Sequence, residues 1–206
     1  MNILIAVEGC EAHRERFEVI DKTWANGHPF IHANHVATMA YFTGDMLGVP
    51  DDYLSLPQKT KAICKEAKNY MYDFMLVCDT DTYLSVPRFL ASGFENYDYT
   101  GFVQTWLPVP YCSGPSYCLS KKSIQTLVET NWKQFEVKDH ATDEDVMVGS
   151  VLFHRGIRYH HDDRYVNPAG VLPENDVISY HLTFHHPYTH ERMYECHRKA
   201  TNGSKP

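Results

Sequence analysis

The chain has 206 residues, 43% of them hydrophobic and 22% charged, which suits one globular domain with a sizeable core. Lys and Arg number 19 against 26 Asp and Glu, a formal charge of -7, and no basic stripe is present. That balance argues against a nucleic-acid partner, and it repels an anionic small molecule unless a cation or a helix N-terminus helps locally.

In chain order, residues 3–7 (ILIAV) form a short apolar run that stops at Glu8-Gly9 and reads as a buried first strand. Its N-terminus lacks a basic n-region, and no apolar run approaches the ~20 residues of a membrane helix. The expectation is a soluble, cytoplasmic chain. From Glu11 to Trp24, Phe17, Val19, Ile20 and Trp24 recur at near-helical spacing. Residues 30–33 read as a second strand. Gln58 to Tyr72 reads as a helix with Ala62, Ile63, Ala67 and Tyr70 towards the core, lysines outside, and Pro57 in its first turn. Residues 74–78 then form a strand apolar on both faces. Strands alternating with helices in this way imply a parallel sheet and an α/β fold. Ligands of such folds bind beyond the carboxyl ends of the strands.

The second half is less regular. Residues 99–103 read as a strand and 112–117 as a tight loop around Gly114. Lys121 to Trp132 reads as a helix capped by Ser120. Thr142, with Asp145 three residues on, resembles a capping box opening a further helix through Phe153. Beyond Gly156 loops and short strands are expected, and 201–206 read as a tail or linker, as in a domain of a longer polypeptide. The six cysteines show no CxxC spacing. Cys112 and Cys118 are close enough in sequence to pair if oxidised; free buried thiols are the expectation in a reducing compartment.

The chemistry concentrates where strand 74–78 ends, in Asp79-Thr80-Asp81. Two carboxylates one residue apart on such a turn can approach one divalent cation, with oxygens suited to magnesium, manganese or calcium. A cation there would bridge to diphosphate oxygens and reverse the local repulsion. A solvated turn accounts for the pair equally well on these residues alone. Gly114 permits close backbone approach to a ligand, although a plain Gly-Pro turn explains it too. Trp106, Tyr111 and Tyr117 flank that segment, able to stack on sugar faces or to pack in the core.

Several blocks together resemble the fringe-type β-1,3-glycosyltransferases. They are "ILIAV...HRERFEVIDKTW", "DDYLSLPQKTKAIC", "YDFMLVCDTDTYL", "YCSGPSYCLS" with "DEDVMVGSVLFHRGI", and "ISYHLTF". In order, they span most of the chain. A free-standing domain of this kind is also similar to glycosyltransferases of large DNA viruses that infect algae. The resemblance implies a GT-A-type nucleotide-diphospho-sugar transferase fold: a mostly parallel central sheet flanked by helices, with a smaller acceptor-side lobe. It implies one domain over 1–200, with 1–105 as nucleotide-binding half and 106–200 as acceptor-side half. Family members usually carry an N-terminal membrane anchor and work in an oxidising lumen; no anchor is read here.

The implied activity is metal-dependent, inverting transfer from a UDP-sugar to a glycan hydroxyl, with manganese or magnesium. Asp81 would bind the metal, with Asp79 through water or on the ribose, Thr80 beside them, and His181 as the late histidine ligand. His185, His186 and His190 crowd the same stretch. Asp145 would be the general base, although a helix-start acid offsetting the dipole explains its neighbours Asp143 and Glu144. Val7 and Glu8 would receive the nucleotide, with Arg14 and Lys59 in reach, although solvated helix faces account for those two. Trp106, Tyr111, Ser113, Gly114 and Glu144 would contact substrate. Two other readings are a metal-dependent hydrolase built on the His-rich tail, and a non-catalytic sugar- or calcium-binding module. Pro187 and the lack of a Glu after His181 speak against a helical His-Glu-x-x-His site.

Overall fold

The structure, a computed structural model, describes residues 1–166, 177–182 and 189–202. The first half contains β1 (Asn2–Glu8), α1 (Glu15–Asp21), β2 (Phe30–His32), β3 (His35–Phe42), α2 (Gly44–Leu47), α3 (Leu56–Asn69), β4 (Phe74–Asp79), β5 (Thr82–Leu84), α4 (Val86–Leu90) and β6 (Tyr99–Gln104). The second contains β7 (Tyr111–Ser120), α5 (Lys121–Glu129), α6 (Glu144–His154), β8 (Tyr159–His161), β9 (Tyr165–Val166), β10 (Ser179–His181) and α7 (His190–Asn202).

Seven strands form one sheet in the order β2-β3-β1-β4-β7-β6-β8. β1 and β4 are apolar on both faces and lie at its centre, where helices cover both sides. Alternate side chains feed two cores. Ile3, Ile5, Val7, Leu76 and Cys78 pack with Val19 and Ile20 of α1 and Phe89 of α4. Leu4, Ala6, Met75 and Val77 pack with Ile63 and Ala67 of α3, Leu127 of α5 and Val148 of α6. Burying one such aliphatic side chain contributes about 2 kcal/mol.

The sheet is mixed: five of its seven strands run one way, and β2 and β7 run against them. β3, β1 and β4 run parallel, but β7 is antiparallel to both β4 and β6, and β8 is parallel to β6. The reversal matters for the site. Cys78 at the carboxyl end of β4 faces Ser116, so residues 113–115 of β7 overhang that end.

Residues 112–117 therefore lie in a strand, not in a tight loop. The β6–β7 register jumps from Gly101↔Tyr117 to Val103↔Cys112, so four β7 residues bulge against a single β6 residue. Pro115, which lacks an N–H, is tolerated in this bulge.

A second sheet, β5-β10-β9, sits beside the first. β10 is antiparallel to β5 with His181 opposite Thr82, and the Leu182 amide donates to the Asp81 carbonyl at 2.9 Å.

Other expectations need correction. Lys59 faces inward at 2% exposure, whereas Tyr70 is 73% exposed because α3 ends one residue before it. Ser120 caps α5 as expected, accepting from the Ser123 amide, but α5 stops at Glu129. The capping box does not form: α6 starts at Glu144, and the Asp145 carboxylate bonds elsewhere. α7 runs to Asn202, so Thr201 and Asn202 belong to a helix; 203–206 lie outside the described residues. All six cysteines are free, with Cys112 and Cys118 in opposite core layers. Among the described residues no helix is long and apolar enough to cross a membrane.

Candidate active site

β1 and β4 end side by side, with Glu8 opposite Asp79. β4 delivers Asp79, the following turn delivers Asp81, and the β5–β10 pairing delivers His181. One ligand atom from each of Asp79, Asp81 and His181 lies within 4.8 Å of the others. His181 Nε2 stands 3.3 Å from Asp81 Oδ1, and Arg16 Nη1 stands 3.9 Å from Asp81 Oδ2 and 3.4 Å from Thr80 Oγ1. Burial, and then the charges of Asp81, Glu8, Glu144 and Asp145, push the Asp79 carboxyl well above the usual range. Two crowded carboxylates with an imidazole fit a divalent manganese- or magnesium-like ion, whose charge would relieve that repulsion.

Two adjoining cavities, of about 330 and 470 Å³, meet at Glu8, Tyr53, Leu56, Asp79 and Asp81. The smaller extends past Gly9, His13, Arg16, Asp51, Lys59 and Thr80. Lys59 is fixed there, with Nζ 2.7 Å from Asp51 Oδ1 and 2.9 Å from the Gly9 carbonyl. Asp51 also accepts from the amides of Glu11 at 2.7 Å and Gly44 at 2.8 Å. Burial opposes ionisation of Asp51, but Lys59 and these amides outweigh it and hold its pKa below the usual value. Glu8 accepts from Thr60 Oγ1 at 2.9 Å. Burial raises its carboxyl to about 7, against the pull of Lys59.

The larger cavity extends past Ser113, Gly114, Pro115, Glu144, Asp145 and His181. The Gly114 amide donates to Asp145 Oδ2 and the Val146 amide to Asp145 Oδ1, each at 2.8 Å. A Cβ on Gly114 would lie 3.4 Å from Asp145 Oδ2. The close approach that glycine permits is therefore to Asp145. Burial raises Asp145 to about 6 in spite of these two amides. The Tyr117 hydroxyl donates to Glu144 Oε1, and burial, followed by Glu8 and Asp145, raises Glu144 well above the carboxylate range.

Most of the expected residues thus converge: Glu8, Asp79, Thr80, Asp81, Ser113, Gly114, Glu144, Asp145 and His181 line the cleft. Others do not. Val7 is fully buried in the sheet core. Arg14 points out and pairs with Glu11 at 3.0 Å, because the inward turn of this segment belongs to Arg16. Tyr111 is buried and packs on Gly149 of α6. Trp106 is 66% exposed, edge-on to Tyr111 and His140. His190 starts α7 and is not in the Asp79-Asp81-His181 trio, while His185 and His186 lie outside the described residues. Sequence reasoning missed Arg16, Asp51 and the exposed Tyr53. Asp51 and Tyr53 lie within the quoted DDYLSLPQKTKAIC block, and Arg16 within HRERFEVIDKTW.

No protein-family model and no curated protein matches the chain. Among solved structures it is similar to a glycosyltransferase involved in glycosylation of the major capsid of PBCV-1, at 16% identity and TM-score 0.54, over 95% of this chain and 99% of that one. It is also similar to the galactosyltransferase LgtC in complex with donor and acceptor sugar analogs, at 12% identity and TM-score 0.53, over 100% of this chain and 97% of that one. The likeness is one of fold: a GT-A-type α/β arrangement around the mixed sheet.

Proposed function

We propose that this protein is a metal-dependent glycosyltransferase that moves a sugar from a UDP-sugar to a glycan hydroxyl with inversion. The observation that carries the reading is the Asp79-Asp81-His181 trio at the carboxyl end of β4, inside a cleft of a fold shared with glycosyltransferases.

Asp79, Asp81 and His181 would hold the ion, manganese or magnesium. When bound, it would supply positive charge to the diphosphate. The smaller cavity suits the nucleotide, with Arg16 and Lys59 as its cations and the exposed Tyr53 ring at its mouth. This assigns residues 1–105 to donor binding and 106–200 to the acceptor side.

Asp145 stands across the larger cavity, on α6, as general base. Gly114 and Val146 orient its carboxylate. In the transfer, an acceptor oxygen bonds to the anomeric carbon while its proton passes to Asp145. The bond from that carbon to the diphosphate oxygen breaks, and UDP leaves with the electron pair. Trp106 offers an open indole face for an acceptor sugar, while Tyr111 supports it from the core.

The test is thermal stabilisation by UDP with and without manganese. Stabilisation that requires both supports the reading; no response to UDP in manganese overturns it.

A further inference from the structure

The two halves of the cleft share Glu8, Asp79 and Asp81 and differ in their cations, the smaller having Asp51 and Asp52 as well as two basic side chains. The smaller cavity contains Arg16 and Lys59. The larger is walled by five carboxyl groups, Glu8, Asp79, Asp81, Glu144 and Asp145, and by no lysine or arginine among the described residues. Glu8 stands at the seam. It is 5% exposed, and its Oε2 is taken by Thr60. Its Oε1 has no hydrogen-bond partner among the described residues. A buried oxygen left without a donor is costly until a ligand hydroxyl reaches it.

We infer that the larger cavity selects an uncharged, hydroxyl-rich donor sugar and rejects a donor sugar that carries a carboxylate. The inference rests on the UDP-sugar transferase reading above. Each sugar hydroxyl brings a proton that a carboxylate accepts, and a lone pair for any carboxyl that is protonated. A uronate places its own negative charge beside Asp145 and Glu8, with no lysine or arginine in the cavity lining to pair with it. A divalent ion held by Asp79, Asp81 and His181 would offset those two carboxylates and would leave the sugar end of the cavity without a cation. Selection by unfavourable charge needs no added contact to the preferred sugar.

The experiment compares UDP-glucose, UDP-galactose and UDP-glucuronate in manganese, by hydrolysis and by displacement of bound UDP. At least one neutral hexose donor should surpass UDP-glucuronate by about a hundredfold, as expected for like charges in a partly dehydrated site. Glu8→Gln should shrink that ratio about tenfold, read as the two donors compared within the variant whatever its UDP affinity. UDP binding combined with hexose and glucuronate donors equal within about threefold overturns the inference and leaves the transferase reading intact. Failure of UDP itself to bind overturns both. The comparison on the unmodified protein decides the matter even if Glu8→Gln does not fold.

Discussion

The backbone amide of Gly114 donates to Asp145 Oδ2 at 2.8 Å, tying the overhanging part of β7 to the first turn of α6. This bond fixes where one carboxylate oxygen points. Gly114→Ala puts a methyl 3.4 Å from that oxygen, at the near edge of van der Waals contact, so only a slight shift of the carboxylate is expected. We expect turnover to fall about tenfold with UDP binding unchanged, since small displacements of a reacting group cost rate before they cost affinity. Single-turnover rates beside UDP titrations check this.

Asp145→Asn removes the proposed base and keeps its shape. Transfer should fall about a thousandfold, within the range for a general base, while UDP and manganese still stabilise the fold. Transfer retained at the wild-type rate would remove Asp145 from the role.

The pH profile follows from burial. Asp145 titrates at about 6, and the base works only when ionised. Activity should therefore climb about tenfold per pH unit below 6 and level off above it. The Asp145→Asn variant should lose that limb in whatever residual rate it shows.

His181→Ala should leave the free protein folded and weaken manganese-dependent UDP binding about tenfold or more. Asp81→Asn should act in the same direction. Metal titration followed by thermal stabilisation measures both. Unchanged manganese dependence in His181→Ala would break the three-ligand assignment.

Lys59→Met tests the other cavity. Lys59 is 2% exposed and faces Asp51, so the substitution leaves a partly buried carboxylate without its cation. The expected loss is about 3 kcal/mol, or roughly 10 °C in melting temperature. Thermal unfolding without ligand checks it, and the simultaneous change Asp51→Asn should restore part of the loss.

The acidic pair stood out because both carboxylates follow a strand apolar on both faces, although those residues alone fit a solvated turn equally well. β3 was missed. Only His35 and Ala37 on it are fully buried, so its residues lack the apolar density of β1 and β4. Lys59 was misread because an amphipathic helix normally sends lysines to water, and its partner Asp51 is outside the helix. The bulge that turns 112–117 into strand depends on pairing with β6, which no local pattern encodes. Asp145 and His181 were singled out by family resemblance, because their approach to the cleft is set by long-range pairing: Gly114 to Asp145 and β5 to β10.

His181 reaches Asp81 from roughly a hundred residues further along the chain. An ion gripped by both would staple β10 to the turn after β4, closing a long loop of chain much as a crosslink does. Chelation would then loosen the C-terminal segment as well as empty the site, and proteolysis begun near α7 would report loss of the ion without any sugar present.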